Sequence, residues 1–307
     1  MKIKIGTRGS KLALWQAHHV RDLLERQGAE TDIATIETKG DKILDVSISK
    51  IGSKGVFTEE IEDQLASGDI DIAVHSAKDM QSELPTGFEL IAFGEREKVN
   101  DVLISNHKEF NLDGANLIIG TSSTRRIAFL KKYYPNVKTV PIRGNLQTRI
   151  RKMEESQCDA LILAYAGVNR MGYNDKIVHE FDQNTFIPAV GQGSIAIEVY
   201  DTLDNTKRSF VRKCINHKLS ETAILAERAY LKKMQGGCSV PIFGLAQIDN
   251  EEVVINGGII SLDGSKVVLS KTKSSIASPE EAGQILGDYI LNNGGAEILE
   301  QIRKEQQ

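Results

Sequence analysis

Cysteine is scarce in this sequence, and the patterns that bind metals are missing. The three cysteines, Cys158, Cys214 and Cys238, are an odd number, and no CxxC, HExxH or clustered His/Cys pattern occurs. Isolated thiols stay unpaired in a reducing compartment, and a structural zinc site needs four closely spaced ligands. The sequence therefore predicts neither a disulfide framework nor a bound metal.

Long apolar runs are also missing. No segment is apolar over the roughly 20 residues that a membrane-spanning helix needs. The stretch MKIKIGTRGS at the start of the chain lacks the apolar core of a secretory signal. We therefore expect a cytoplasmic protein that has no membrane partner.

Features of nucleotide and nucleic-acid binding are absent as well. The formal net charge is −4, which argues against binding of nucleic acid by bulk charge. The segments GSKG and GQG are not phosphate loops, and no GxGxxG follows the first predicted strand. The expected ligand is therefore neither a nucleotide nor a nucleic acid.

Hydrophobic periodicity divides the chain into α/β lobes and a smaller α+β domain. Strands and helices alternate over the first 75 residues and again from about residue 100, which predicts two parallel sheets. The segment FIPAVGQGSIAIEV is predicted to return the chain to the first lobe, so that the lobes share a double hinge. We predict lobe 1 at 1–97 and 193–215, lobe 2 at 98–192, and a C-terminal domain at 216–307.

One segment is basic in a chain that is net acidic. Residues 121–152 contain nine Lys or Arg and no Asp or Glu. A solvated basic face would explain the lysines, but four arginines stand where predicted strands end or helices begin. They are Arg125, Arg126, Arg143 and Arg149. These positions line the ligand crevice of an open α/β sheet, and arginine forks match carboxylate or phosphate groups.

Lobe 1 presents a similar set of charges. Arg8 follows the first predicted strand, and Lys78 and Asp79 follow the strand DIAVHS. Asp79 alone could be a helix N-cap, and His75 alone reads as a packed strand residue. Together, the two lobes aim basic groups and one carboxylate at a shared gap. This arrangement predicts a ligand that carries several carboxylates and requires no metal.

The segment GGCSV places Cys238 after two glycines, on a bare stretch of backbone. An accessible thiol in such a loop could be a nucleophile, or it could be an inert small residue in a tight turn. The sequence context alone leaves both readings open.

Nine motifs together resemble the porphobilinogen deaminase family, also called hydroxymethylbilane synthase. In chain order they are SKLALWQA, TKGD, GSKGVFTEEIE, DIAVHSAKD, GTSSTRR, IRGNLQTR, LAYAGVNR, PAVGQG and GGCSVP. The resemblance implies two periplasmic-binding-protein-like lobes with a double hinge and a small C-terminal α+β domain. It also implies a transferase of tetrapyrrole (haem) biosynthesis that joins four porphobilinogen molecules head to tail into hydroxymethylbilane and releases four ammonia.

The same resemblance implies roles for individual residues. One dipyrromethane cofactor is expected per chain, attached to Cys238 by a thioether, with Lys78, Ser123, Arg125 and Arg126 holding it. The residues expected to be catalytic are Asp79, Arg8 and Arg149. Those expected to bind substrate are Ser10, Arg143 and Arg170.

The resemblance also implies a mobile loop over the site and the partners of the protein. Residues 44–57 are expected to form a mobile cover, with Lys54 and Phe57 facing the site. A monomer is expected, with possible transfer of the product to uroporphyrinogen III synthase. The chain departs from the family pattern at Lys11, where proline is common, and at Met80–Gln81, where Val-Pro is common.

Two other functions fit parts of the pattern. A two-lobed anion receptor of the periplasmic-binding type would use the same arginines, but it predicts a secretion signal and gives Cys238 no role. An α/β transferase acting on a phosphorylated metabolite predicts a phosphate loop or metal ligands. Since fold does not determine function, the site has to distinguish them.

Overall fold

The structure, a computed structural model, describes residues 1–42, 58–107, 111–112, 117–237 and 239–305. Two predictions fall outside these residues: the cover segment 44–57, with Lys54 and Phe57, and the thiol of Cys238. In the described ranges, no helix is both long enough and apolar enough to cross a membrane.

Strands and helices alternate in the first part of the chain. In order, the elements are β1 (Lys2–Arg8), α1 (Lys11–Glu25), β2 (Glu30–Ile36), α2 (Lys39–Lys42), α3 (Glu59–Ser67), β3 (Ile72–Ser76) and β4 (Phe88–Phe93). Helix α1 starts where the Ser10 Oγ accepts a hydrogen bond from the Ala13 amide at 3.3 Å, so Ser10 is the N-cap. Its buried face, including Val20 and Leu24, packs on Ile3 and other strand residues.

The second part repeats this alternation. The elements are β5 (Asp101–Ile104), β6 (Ile118–Gly120), α4 (Thr124–Tyr133), β7 (Lys138–Val140), α5 (Leu146–Glu154), β8 (Ala160–Ala164), α6 (Tyr165–Arg170) and β9 (Ile177–Glu180). Apolar side chains of α4, among them Phe129, pack on the sheet beside Ile119 and Ile162. This packing fixes the start of α4, and with it Arg125 and Arg126, at the end of β6.

The remaining elements return to the first sheet and then form the small domain. They are β10 (Ile195–Tyr200), α7 (Asn205–Ile215), α8 (Lys218–Lys233), β11 (Ile242–Asp249), β12 (Glu252–Ile260), β13 (Val267–Ser275), α9 (Pro279–Ile290) and α10 (Ala296–Glu305). A core that contains Tyr230, Ile255 and Leu286 joins α8 and α9 to the three strands. The predicted α+β character of this domain is confirmed.

The two lobes have matching sheets. The strand orders are β2-β1-β3-β10-β4 in lobe 1 and β7-β6-β8-β5-β9 in lobe 2. In each sheet the first three strands are parallel, and a strand that arrives from the other lobe adds antiparallel to the third. The chain therefore crosses between the lobes twice, as the predicted double hinge requires. The residue limits given above for the domains stay a prediction.

The first crossing, residues 94–100, and the second crossing, residues 181–194, pack directly on each other. The Glu97 amide donates to the Gly193 carbonyl at 3.1 Å, and the Arg96 Nε donates to the Gln192 carbonyl at 2.9 Å. Gly193 has a φ of 94°, and a Cβ there would lie 2.4 Å from the Glu97 carbonyl oxygen. Only glycine permits this approach of one crossing to the other.

Candidate active-site cleft

The sequence AKD places Lys78 and Asp79 on a short 3₁₀ turn that directly follows β3. Ala77 and Met80 fix this turn, because both are buried in a cluster with Phe93. The Ala77 amide also donates to the Ser194 carbonyl at 2.9 Å. The apolar neighbours therefore hold the turn while Asp79 stays exposed.

A small cavity opens beside Asp79 at the carboxyl ends of β1 and β3. Its polar lining is Arg8, Ser10, Gln16, Thr58, His75, Ser76 and Asp79. The Gln16 Nε2 donates to the Ser76 Oγ at 2.9 Å, although Gln16 is only 2% exposed. The structure thus adds Gln16 and Ser76 to the predicted set. Gln16 stands out in sequence as an amide on the buried face of an amphipathic helix.

Gln81, one of the residues at which the chain departs from the family pattern, has a structural role. The Gln81 Nε2 donates to the Thr58 Oγ1 at 3.1 Å and to the Glu62 Oε1 at 3.4 Å. The Gln81 carbonyl accepts a hydrogen bond from the Arg228 Nη2 of α8 at 2.9 Å. Helices α3 and α8 therefore both hold the segment that follows Asp79.

In lobe 2, Arg125 and Arg126 share one buried carboxylate. The Asp101 Oδ2 lies 2.6 Å from the Arg125 Nη2, and the Asp101 Oδ1 lies 2.7 Å from the Arg126 Nη2. The remaining Nη1 atoms donate to the carbonyls of Ile187 and Ile162. Both guanidiniums are therefore fixed in direction before any ligand binds.

Asp101 was not identified from the sequence. Burial acts to raise its pKa, but the two arginines outweigh burial and hold the pKa below its usual range. Gln192 of the second crossing also donates to its Oδ1, at 3.1 Å. The sequence did contain a signal, because Asp101 is an acidic residue at the start of the apolar strand in VNDVLIS. A carboxylate that is buried in this way needs a cation beside it.

Electrostatic coupling connects the two sides of the cleft. The pKa of Arg149 is lowered to about 10, chiefly by burial and also by the charges of Arg126 and Arg143, while Asp79 opposes the shift. Burial lowers the pKa of Lys78 to about 8, with Asp79 raising it and Arg126 lowering it. Asp79 and Lys78 of lobe 1 therefore lie within electrostatic reach of Arg126 and Arg149 of lobe 2.

This cleft holds more positive than negative charge. Four cationic side chains, Lys78, Arg125, Arg126 and Arg149, face two carboxylates, those of Asp79 and Asp101. Buried like charges require counter-charges, and guanidiniums accept carboxylates in pairs of hydrogen bonds. The residues present therefore fit a bound group that carries several carboxylates, as a dipyrromethane does.

Other predicted residues occupy different places around the cleft. Ser123 is the N-cap of α4, and its Oγ accepts from the Arg126 amide at 3.5 Å. Arg149 is oriented by its Nε, which donates to the Gly144 carbonyl at 2.7 Å. Arg143 lies within electrostatic reach of Arg149. Cys238 is outside the described residues.

Arg170 lies at a contact between the lobes. Its guanidinium stands over the ring of Trp15 in α1, 5.4 Å from the ring centroid, and its Nη2 donates to the Gly193 carbonyl at 2.8 Å. Burial lowers its pKa, while Glu97 opposes that shift. The described contacts of Arg170 are with the hinge and α1, and its predicted role toward substrate stays a prediction.

Comparison with known proteins gives matches over nearly the whole chain. Residues 3–208 match the family model described as porphobilinogen deaminase, dipyromethane cofactor binding domain, and residues 221–292 match porphobilinogen deaminase, C-terminal domain. The chain is 53% identical to the porphobilinogen deaminase of Desulfosudis oleivorans, with 100% of this chain and 99% of the relative covered. It is 53% identical to that of Cytophaga hutchinsonii, with 98% and 97% covered.

Among solved structures, the chain is similar to the periplasmic VFT2 domain of Bordetella pertussis BvgS. The identity is 18%, the TM-score is 0.42, and the match covers 69% of this chain and 86% of that domain.

Proposed function

The chain belongs to the porphobilinogen deaminase family, and from that premise we propose which of its residues carry the reaction. It is a transferase of tetrapyrrole biosynthesis, hydroxymethylbilane synthase, with porphobilinogen as its substrate and dipyrromethane as its cofactor. One observation carries the assignment of roles: Asp79 is electrostatically coupled to Lys78 beside it and to Arg149 across the cleft.

We propose that Asp79 is the catalytic carboxylate. Porphobilinogen that loses ammonia leaves a cationic pyrrole, and a carboxylate held in a fixed position beside the ring stabilises such a charge. A free pyrrole α-carbon at the end of the growing chain then forms a carbon–carbon bond with the methylene carbon of that cation, and this attacking α-carbon must give up its proton to become aromatic again. Asp79 is exposed on a fixed turn, where it can accept that proton directly or through water.

The arginines near Asp79 are proposed to orient the substrate. Each porphobilinogen carries an acetate and a propionate group, and both ionise at neutral pH. Arg8 and Ser10 line the same cavity as Asp79, while Arg149 approaches from the other lobe, near Arg143. Arg8 and Arg149 thereby act at the reacting ring, and Ser10, Arg143 and Arg170 bind its substituents.

The cofactor is proposed to be held by Lys78, Ser123, Arg125 and Arg126, with Cys238 as its covalent attachment point. When bound, it supplies the free pyrrole carbon from which the chain grows. Arg125 and Arg126 each have five N–H groups and use only part of them on Asp101 and backbone carbonyls. The remaining N–H groups are available to carboxylates, in directions that Asp101 fixes.

We further propose a cytoplasmic location. Cys158 and Cys214 are both unpaired thiols, which is typical of a reducing compartment. A monomeric state and transfer of the product to uroporphyrinogen III synthase stay predictions from the family resemblance.

The mass of the intact protein tests the proposed attachment. Purified protein should exceed its sequence mass by one dipyrromethane, and Cys238→Ser protein should lack this excess and form no tetrapyrrole. Cys214→Ser, a change at a partly buried thiol of α7, is the matched control and should keep the excess. Active protein with the mass of the bare chain would contradict the assignment.

A further inference from the structure

Gln81 holds the chain two residues after Asp79, the proposed catalytic carboxylate. Its side-chain Nε2 donates to the Thr58 Oγ1 at 3.1 Å and to the Glu62 Oε1 at 3.4 Å. Its carbonyl accepts from the Arg228 Nη2 at 2.9 Å. One residue therefore joins the segment after Asp79 to a helix of lobe 1 and to a helix of the small domain.

The turn that carries Asp79 is supported differently on its two sides. On the side of the hinge, a Cβ on Gly191 would lie 2.9 Å from the Lys78 nitrogen, so the second crossing packs against the backbone of the turn. On the other side, residues 80–87, all of them within the described ranges, belong to neither a helix nor a strand. The direction of the chain on that side therefore depends on the burial of Met80 and on the hydrogen bonds of Gln81.

The partners of the Gln81 amide are themselves well fixed. Thr58 is 3% exposed and Glu62 is 7% exposed, and both lie at the start of α3. The Ile61 and Glu62 amides donate to the Thr58 carbonyl at 2.9 and 2.7 Å. Ile61 and Leu65 pack α3 onto the lobe 1 sheet. Gln81 is therefore tied to a buried and well-packed part of lobe 1.

Thr58 also lines the cavity that contains Asp79. The hydrogen bond between Gln81 and Thr58 thus connects one wall of this cavity to the segment that carries the carboxylate on the other wall. A change in this bond would alter the position of Asp79 relative to the cavity, since no helix or strand holds residues 80–87 among those the structure describes.

The backbone next to Gln81 meets two conditions for proline. Met80, the preceding residue, is extended at φ −76° and ψ 142°, as the residue before a proline has to be. Within the described part of the chain, the Gln81 amide donates no hydrogen bond that proline would remove. A proline ring would fix the φ of residue 81 and restrain this segment without any side-chain contact. In this chain the Gln81 side chain supplies that restraint.

We propose that Gln81 is a positioning residue for the reaction: through Thr58 and Glu62 it holds the turn in the orientation that directs Asp79 at the reacting pyrrole. The inference rests on the proposed role of Asp79. Misplacement of a catalytic group by about 1 Å can cost about 10²-fold in rate. The arginines that bind the substrate carboxylates lie on other segments, so Gln81 acts on kcat and leaves KM unchanged.

The first test compares the kinetics of Gln81→Ala with those of wild type. The variant should keep the mass of one dipyrromethane and its KM, while kcat falls by roughly tenfold to a hundredfold. The matched control is Ser82→Ala, a change at the next residue, which is half-buried like Gln81 and should keep wild-type kcat. Gln81→Leu, which keeps the side-chain volume, replaces Gln81→Ala if the latter does not fold. An unchanged kcat would overturn the proposal.

The second test is rescue by Gln81→Pro. Because proline restrains the same segment without an amide side chain, this variant should recover most of the kcat that Gln81→Ala loses. A loss of stability alone would not be reversed in kcat by this change. An equal loss of kcat in Gln81→Ala and Gln81→Pro would overturn the proposal, since restraint of the segment would then not be what Gln81 contributes.

A double-mutant cycle tests the route through α3. Thr58→Val removes the acceptor of the Gln81 amide, and the variant that combines it with Gln81→Ala should have no lower kcat than Thr58→Val alone, because both remove the same contact. Losses that multiply would contradict this route.

The Asp79→Asn background separates this inference from the proposed function. Gln81→Ala should cause no further loss of kcat there, because it acts through the carboxylate. Near-normal turnover in Asp79→Asn would remove the proposed function itself. Slow turnover in Asp79→Asn together with wild-type kcat in Gln81→Ala would leave the proposed function intact and overturn only the role of Gln81.

Discussion

Glu227 accepts two hydrogen bonds from the guanidinium of Arg96, at 2.6 Å to its Oε1 and 3.1 Å to its Oε2. Glu227 lies on α8 of the small domain and is fully buried, whereas Arg96 lies on the first crossing between the lobes. The same carboxylate accepts the amides of Gly191, on the second crossing, and Ala246, on β11. One side chain therefore connects both crossings to the small domain.

Replacement of Glu227 by Gln should strongly destabilise the fold. A buried ion pair that loses one partner leaves an uncompensated charge, which costs about 3–5 kcal/mol. We expect a loss of this size in the free energy of unfolding, measured with urea. The control is Glu83→Gln, which breaks an exposed pair with Lys232 and should cost about 0–1 kcal/mol. Equal losses in the two variants would contradict the proposed importance of burial.

Asp101→Asn should lower the free energy of unfolding by a similar amount, and this loss should depend on pH. The pKa of Asp101 is below its ordinary value, so the unfolded chain binds more protons than the folded one in acid. The stabilisation is therefore fully present above about pH 4 and is lost as pH falls further. The free energy of unfolding should be measured at pH 7, 5 and 3.5. The difference between wild type and Asp101→Asn should become smaller at the lowest pH. A gap independent of pH would contradict this assignment.

The groups at strand ends were accessible to sequence reasoning, whereas their buried partners were not. Asp79 and Arg149 follow or adjoin strands whose hydrophobic patterns are clear, and parallel strands bring such ends to one edge of a sheet. Asp101, Glu198 and Glu227 are matched with residues 24 to 131 positions away. Those pairings exist only after the two antiparallel strands have crossed between the lobes.

The sheets illustrate the same limit. Alternating strands and helices predicted parallel βαβ units correctly, but β5 and β10 are inserted antiparallel. The return of β10 to lobe 1 was predicted, but its local sequence, apolar and interrupted at Glu198, does not indicate that it pairs antiparallel with β3. Its place is set by packing against β3 and β4, which is a tertiary effect.

Asp79→Asn should retain the cofactor and lose most turnover. Removing a single group that stabilises transition-state charge typically costs about 10²–10³-fold in kcat. We expect the variant to keep the excess mass of one dipyrromethane while kcat falls by about that factor. Asp63→Asn, at an exposed carboxylate of α3, is the control and should keep both properties. Near-normal turnover in Asp79→Asn would remove Asp79 from the reaction.

Cofactor assembly should depend on the charge of Lys78. Its pKa is lowered to about 8, chiefly by burial, so the ammonium loses its proton as pH rises past that value. The rate at which cofactor-free protein gains the dipyrromethane mass from porphobilinogen should then fall above about pH 8. Lys78→Arg keeps its charge over this range and should shift the decline to higher pH. An identical decline in both proteins would assign it to another group.

Trp15 should report on the contact that Arg170 makes between the lobes. Trp15 is the single tryptophan of the chain, and its ring stacks on His19 at a centroid distance of 5.3 Å while Arg170 stands over it. Burial and the charge of Arg170 both lower the pKa of His19, so the ring should take up its proton at a lower pH than an ordinary histidine does. Since an imidazolium stacked on indole quenches its emission, Trp15 fluorescence should fall when His19 takes up its proton.

In Arg170→Ala the midpoint of this fluorescence change should move to higher pH, because a positive charge next to His19 has been removed. His19→Gln is the control and should abolish the pH-dependent change. At pH 8 its fluorescence should differ from that of wild type only because the imidazole no longer stacks on Trp15. A midpoint that stays fixed in Arg170→Ala would mean that Arg170 does not hold the position over Trp15 in solution. The contact between α1 and the hinge would then differ from the arrangement described above.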